Sequence, residues 1–190
     1  MSGKLAKKLE QREHVLHRPD TYIGTVRYGP TERLVADFVE APAAAAAGEE
    51  SPAKRAAPSM SVRIHERTVQ FCPGLVQLFL EILNNARDRT VATDAEVRCS
   101  RIDVHVNRET GEISVSNNGD SVPVQMHPEH GVYNPELIFG HLLTSTNYDD
   151  NERRIAGGRN GFGAKLTNIF STRFTVECLD ARCQRQYRQT

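Results

Sequence analysis

The sequence has no excess of either charge: 24 Lys and Arg stand against 24 Asp and Glu over 190 residues. Net charge therefore gives no argument for a nucleic-acid or membrane partner. No run approaches the roughly eighteen apolar residues of a membrane span, and the Lys-rich start lacks the apolar stretch of a secretory signal. Glu10 and Glu13 speak against an organellar transit peptide. Cys72, Cys99, Cys178 and Cys183 lack Cys-x-x-Cys spacing, which favours reduced thiols of an intracellular protein over a metal centre. Apolar content is low at 38%, partly because one stretch has little to bury.

Two familiar phosphate signatures are missing as well. There is no Gly-x4-Gly-Lys-Ser/Thr, because Lys165 is followed by Leu166, and no Gly-x-Gly-x-x-Gly. What is present is Gly157-Gly158-Arg159-Asn160-Gly161-Phe162-Gly163-Ala164-Lys165, running straight into the apolar pattern Leu166, Ile169, Phe170. So many glycines imply a sharp turn or a close approach of backbone to a ligand. A loop of this kind opening a helix offers unpaired N–H groups and the positive end of the helix dipole, which suits an anion. The alternative reading is a flexible surface loop.

Along the chain, Leu5 to His17 reads as a charged helix with sparse apolar positions at Leu5, Leu9 and Leu16. It must lean on something else. Pro19 and Gly24 end it within Arg18-Pro19-Asp20-Thr21-Tyr22-Ile23-Gly24. After Val35 to Val39, residues 41–58 are built almost wholly of Ala, Pro, Gly and charged residues, with no aromatic or β-branched member. They bury too little to offset ordering entropy and read as a disordered insertion. Val62, Ile64, Val69 and Phe71 suggest a hairpin about His65-Glu66-Arg67.

Pro73-Gly74 opens a helix from Leu75 to about Val91, with Leu75, Leu78, Phe79, Ile82, Leu83 and Ala86 as its buried stripe. On another face Glu81, Asn85 and Asp88 stack at i, i+4 and i+7. A solvated polar face would also account for these three. Strands follow at Arg101 to Val106 and Glu112 to Ser116, joined by a turn at Asn107 to Gly111, with Ile102, Val104 and Val106 alternating as half-buried positions. The turn-forming Asn117-Asn118-Gly119-Asp120 closes the second. Asn134-Pro135-Glu136 reads as the N-cap, N1 and N2 of a helix carrying Leu137, Ile138, Leu142 and Leu143 and stopping at Thr144 to Asn147. Beyond the glycine loop and its helix, Arg173 to Leu179 reads as a strand, and Arg182 to Arg188 as the start of another.

The order of these motifs resembles the Bergerat-fold ATPases, the superfamily of gyrase, heat-shock-90 chaperones, histidine kinases and mismatch-repair ATPases. Glu81-Ile82-Leu83-Asn84-Asn85-Ala86 is similar to its first box, Glu-x-x-x-Asn; Asn117-Asn118-Gly119 to its second; and Gly157 to Lys165 to its third. Arg18 to Gly24, Ile138 to Asp150 and Gly157 to Thr175 narrow the likeness to the ATPase region of eukaryotic type II DNA topoisomerases. Histidine kinases and chaperones do not share those stretches.

The resemblance implies an α/β fold, a Bergerat two-layer sandwich of a mixed sheet with helices on one face, cut short at the C-terminus. It implies an N-terminal arm over residues 1–24 and an ATPase domain over 25–190, with 41–58 inserted. ATP and Mg²⁺ are the implied cofactors. Glu81 takes the place of the base that activates water against the γ-phosphate, and Asn85 that of the Mg²⁺ ligand. Asn117 takes the place of the acceptor for the adenine amino group. Ser145, Thr146 and Asn147 match residues reaching the ribose and phosphates, and Gly158, Arg159, Asn160, Gly161, Phe162, Gly163, Ala164 and Lys165 match the phosphate lid. Where the family has x-Gly-Ile-Pro after Asn-Asn-Gly, this chain has Asp120-Ser121-Val122-Pro123, and Leu80 and Arg87 also depart from the first box.

In the family this region continues into a transducer that supplies a lysine to the γ-phosphate and then into a DNA-cleavage core, for which 190 residues have no room. The implied setting is a homodimer joined through the arm and the ATPase domain, acting on DNA in the nucleus or an organelle, with no membrane partner. The alternative is a catalytically incomplete nucleotide-binding or dimerisation module.

Overall fold

The computed structural model describes residues 8–40, 60–92, 95–142 and 161–190. They form two compact units, Met1–Val26 with Pro73–Thr190, and Arg27–Cys72. The expected disordered insertion at 41–58 lies outside the described residues.

In the larger unit the chain enters through α1 (Gln11–His17) and α2 (Pro19–Tyr22). Arg18 separates them with φ −131° and ψ 57°, outside the helical region that the following proline disfavours. The apolar anchor of α1 is Val15, 1% exposed, while Leu16 is 41% exposed. Sequence spacing had pointed to Leu16. Only one face of so short a helix meets the protein, and Val15 occupies it, packing with Ile23 of the following turn and Leu166 of α5 (Gly163–Phe170). Tyr22, Leu78, Phe162, Ile169 and Phe170 surround this cluster.

Helix α3 (Pro73–Val91) is the longest element and lies against α5. Its start is fixed where the Gly74 N–H donates to the Thr25 carbonyl at 2.9 Å; a Cβ on Gly74 would sit 3.1 Å from that oxygen. Ala86 is buried, and Leu78, Phe79, Ile82 and Leu83 are half-buried, but Leu75 is 56% exposed, against the expected stripe. Leu75 stands in the first turn, ahead of the crossing with α5 at Leu78 and Glu81.

Strands β3 (Ile102–Asn107) and β4 (Glu112–Asn117) pair antiparallel, Ile102 opposite Asn117. Their turn is held by the Asn107 side-chain oxygen, which accepts from the Glu109 and Thr110 N–H groups, and by Gly111 at φ +72°. The alternation expected in β3 is absent: Val104 and Val106 are 45% and 53% exposed. Among the described residues this pair hydrogen-bonds to no further strand.

Helix α4 (Asn134–Gly140) begins one residue off the expected register, with Tyr133 at the cap and Pro135 in its first turn. It ends at Gly140 rather than continuing to Leu143, because His141 takes an extended backbone (φ −106°, ψ 125°). Strands β5 (Val176–Asp180) and β6 (Arg185–Gln189) complete the unit as an antiparallel pair.

The smaller unit is the pairing of β1 (Gly29–Glu40) with β2 (Met60–Phe71), Gly29 opposite Phe71 and Glu40 opposite Met60. The hairpin expected about His65-Glu66-Arg67 does not exist. Those residues lie mid-strand opposite Val35, Leu34 and Arg33, where a water-facing ribbon tolerates polar side chains. The α/β class stands; among the described residues the strands pair as three antiparallel two-stranded sheets, without a parallel pair.

Candidate functional site

The site grows from the crossing of α3 and α5. Thr167 Oγ1 donates to the Leu78 carbonyl at 2.9 Å and Asn168 Nδ2 to the Phe139 carbonyl at 3.1 Å, so α5 is fastened to α3 and α4 through side chains that reach backbone acceptors. Against this frame Glu81 points at the first turn of α5. Its Oε1 accepts from Gln77 Nε2 at 2.7 Å, and a Cβ added to Gly163 would fall on its Oε2 and lie 3.2 Å from its Cδ. Glycine at 163 is therefore a condition for Glu81 to stand where it does. Neither a surface glutamate nor a plain polar face of α3 requires that contact.

The entry into α5 is shaped by Gly161, which takes φ +62°, a conformation other residues adopt only with strain. Phe162 follows at the cap position and makes no side-chain cap to the helix. Phe162 thus offers the first-turn N–H groups of α5 no side-chain acceptor, and an anion is a complementary partner for them. Phe162 itself packs against Tyr22, ring centroids 6.0 Å apart, and the Tyr22 hydroxyl hydrogen-bonds His14 Nδ1 at 2.8 Å. The N-terminal helices are in this way built onto the glycine loop.

Lys165 lies in the first turn of α5, 4% exposed, and its ammonium donates to the Gly161 carbonyl. Burial lowers its pKa from 10.5 to about 8. Ala164 beside it is buried as well.

Asn85, one turn beyond Glu81 on α3, is exposed, its side chain open to solvent. Asn117 ends β4, the strand that α3 touches, and its side-chain oxygen accepts from the Gly119 N–H at 3.1 Å. The neighbouring Asn118 holds the turn in place: its oxygen accepts from the Ser100 and Arg101 N–H groups at 3.0 and 2.8 Å, and its amide donates to Ser100 Oγ at 3.0 Å. Gly119 passes so close to Cys99 that a Cβ would come within 2.7 Å of the cysteine Cβ. The Asp120 carboxylate accepts from the Glu96 and Val97 N–H groups. Ser121, which replaces a glycine of the family pattern, is not among the residues with positive φ and fits its backbone without strain. Ser145, Thr146, Asn147, Gly158, Arg159 and Asn160 lie outside the described residues. Sequence reasoning passed over Gln77, although its i, i+4 spacing to Glu81 on one helix was the available signal.

Residues 73–184 match the family model described as histidine kinase-, DNA gyrase B-, and HSP90-like ATPase. The chain belongs to this ATPase family. Its similarity to the DNA topoisomerase 2 of Candida glabrata is 44% identity over 184 residues, 97% of this chain and 11% of that protein. With the DNA topoisomerase 2 of Saccharomyces cerevisiae it is 41% over 183 residues, 96% of this chain and 11% of that protein. The chain thus spans about a tenth of the length of the curated relatives it matches. The crystal structure of the ATPase region of Saccharomyces cerevisiae topoisomerase II is 40% identical with a TM-score of 0.74, covering 97% of this chain and 42% of that one. The ATPase and transducer domains of DNA topoisomerase II from Balamuthia mandrillaris are 40% identical with a TM-score of 0.75, covering 100% and 42%. The fold of this chain is accordingly the Bergerat type.

Proposed function

We propose that this chain binds ATP with Mg²⁺ and hydrolyses it as the amino-terminal ATPase part of a type II DNA topoisomerase. The observation that carries the reading is the Glu81 carboxylate, half-buried, bonded by Gln77 and lodged against Gly163 at the uncapped start of α5. A base and an anion-binding helix end stand side by side, as attack of water on a terminal phosphate requires.

In this reading Glu81 receives the proton of the attacking water. The N–H groups from Gly161 to Lys165 hold phosphate oxygens, with Phe162, Gly163 and Ala164 supplying backbone and Lys165 charge. The nucleotide fits the residues present, since Phe162 provides no side-chain cap to the first turn of α5, whose N–H groups suit phosphate oxygens, and the desolvated Lys165 gains a counter-ion. Mg²⁺ would neutralise phosphate charge, and the exposed amide oxygen of Asn85 is of the hard type that ion takes. Asn117 accepts from the adenine amino group with the lone pair that Gly119 leaves free. Ser145, Thr146 and Asn147 serve the ribose and phosphates, and Gly158, Arg159 and Asn160 complete the lid.

Residues 1–24 act as an arm, built onto the glycine loop through Tyr22 and reaching the second subunit of a homodimer. Residues 25–190 form the ATPase domain with 41–58 inserted. In the whole enzyme ATP closes the dimer on a DNA segment, and the place of work is the nucleus.

Calorimetric titration of a non-hydrolysable ATP analogue with Mg²⁺ into the purified chain tests the pocket, with Gly161→Ala alongside. Binding by the parent chain that the variant loses is the expected result; no binding by a folded parent chain overturns the proposal. Glu81→Gln is expected to keep binding and lose turnover. Binding without turnover in the parent chain would leave it a nucleotide-binding and dimerisation module.

A further inference from the structure

Between β4 and α4 the chain makes a closed loop that the nucleotide reading does not use. Met126 and Tyr133 bridge across it, the Asn134 N–H donates to the Gln125 carbonyl at 2.9 Å, and the His127 N–H to the Val132 carbonyl at 2.8 Å. At its tip the Gly131 N–H donates to the His127 carbonyl at 3.0 Å, with Gly131 at φ +65°. Pro128 restricts the backbone further. This small, internally bonded turn fixes where its side chains start.

Three of those side chains are metal-ligand types. A nitrogen of His127, a carboxylate oxygen of Glu129 and a nitrogen of His130 all lie within 4.8 Å of one another, and the two imidazoles stack at 4.5 Å, inclined by 30°. Their only hydrogen bond among the described residues is a long one, from the Glu129 N–H to His127 Nδ1 at 3.3 Å. No Lys or Arg occurs from Gln125 to Asn134 to repel a cation or claim the carboxylate.

We propose that this loop is a binding site for a borderline divalent transition metal, Zn²⁺ foremost, with His127, Glu129 and His130 as its protein ligands. Two neutral imidazoles and one carboxylate are the donor set of an open three-ligand zinc site, with water in the remaining position. At bond lengths of about 2.0–2.1 Å the ligands of a tetrahedral ion stand roughly 3.4 Å apart. Glu129 and His130 are exposed, so rotation about their side-chain bonds is the movement the site needs to close from 4.8 Å to that spacing. Mg²⁺ and Ca²⁺ are disfavoured because they want oxygen, and the loop offers one carboxylate. The site is separate in chemistry from the nucleotide metal, which would rest on Asn85 and phosphate.

The test is Zn²⁺ titration of the metal-stripped full chain against a competing chelator, repeated with Co²⁺ while its visible absorption is recorded. Glu129→Gln, His130→Gln and the His127→Gln/His130→Gln pair accompany the parent chain. One equivalent bound at micromolar affinity or tighter is expected, weakened about tenfold or more by each single change and abolished in the pair. Far-UV circular dichroism shows that the variants are folded, and a variant that is not folded is replaced by His130→Asn, for which the same loss is expected. Unchanged binding in the folded variants, Co²⁺–thiolate bands that place the ion on cysteines, or no binding by the parent chain would each overturn the site.

Discussion

Gln77 and Glu81 are joined across one turn of α3 by a 2.7 Å hydrogen bond from the Gln77 amide to Glu81 Oε1. The amide removes one rotational freedom from the carboxylate while adding no charge. Glu81 Oε2 is left facing Gly163, towards the helix end where a phosphate would sit. Replacing Gln77 by Leu keeps helix propensity and bulk but deletes the donor. We expect turnover to fall about three- to tenfold, the worth of roughly 1 kcal/mol of hydrogen bond, with affinity for the ATP analogue unchanged. A parallel loss of affinity and turnover would show that Gln77 only supports the fold.

Gly163 gives the sharper test of the same arrangement. An added methyl must displace the Glu81 carboxylate or push α5 away from α3. Because the atom in the way is the free end of the Glu81 side chain, which can swing aside, Gly163→Ala is expected to cost about 1 kcal/mol of stability or less and to reduce turnover more than nucleotide affinity. Urea midpoints and steady-state kinetics on the same preparation measure both. A variant as stable and as active as the parent chain would mean that Glu81 has room elsewhere.

What the sequence displayed and what it concealed divide along the reach of each interaction. The β3–β4 hairpin was legible because its turn is local: Asn107 accepts from residues two and three ahead, and Gly111 supplies the left-handed position. The β1–β2 ribbon was misread because Val62 to Phe71 finds its partner on the far side of residues 41–59, which no local pattern announces. Adjacent apolar residues at 15 and 16 carry the same signal, and only the position of α5 selects Val15 for burial. At the site, Glu81 and the glycine loop were each visible through motif resemblance. Their meeting at Gly163 is a tertiary fact. Asn118 was read as a turn former, whereas its bonds to Ser100 and Arg101 tie that turn to the chain before β3.

Lys165 makes the proposed nucleotide site sensitive to alkali. Its pKa of about 8, lowered by burial, means that the free protein loses this cation at a pH where an exposed lysine keeps it. Stability moves one way: the unfolded chain binds the extra proton between about 8 and 10.5, so the cost of burying the charge is relieved as pH rises through that window. Affinity for the ATP analogue moves the other way. It should decline above pH 8 by up to about tenfold per unit, and Lys165→Arg should flatten the decline because a guanidinium stays charged. Titrations at several pH values decide it, and equal slopes for the two proteins would remove Lys165 from the phosphates.

At the acid end the group to watch is Asp180, 3% exposed at the end of β5. Its Oδ2 accepts from the Val124 N–H at 2.9 Å, and its Oδ1 from the Arg182 N–H at 3.1 Å and Arg182 Nε at 3.4 Å. The Val124 N–H above all, then the Cys183 thiol, and Arg182 hold its pKa at about 2, below the ordinary 3.8, against the opposing effect of burial. Arg182 also donates to the Ser121 carbonyl at 3.4 Å, so the pair clamps the segment that leaves the Asn117 turn. A carboxyl whose folded pKa is depressed stabilises the protein above its unfolded pKa, and that contribution disappears as pH falls through the folded value. Unfolding midpoints in urea should therefore drop between about pH 4 and about pH 2, more steeply than in Asp180→Asn, whose amide has no charge to lose. The variant should be the less stable protein near neutrality, since its NH₂ group brings a donor where two backbone donors already converge. Parallel acid slopes for the two would show that other carboxylates govern the acid limb and that the clamp at Ser121 to Val124 does not depend on the Asp180 charge.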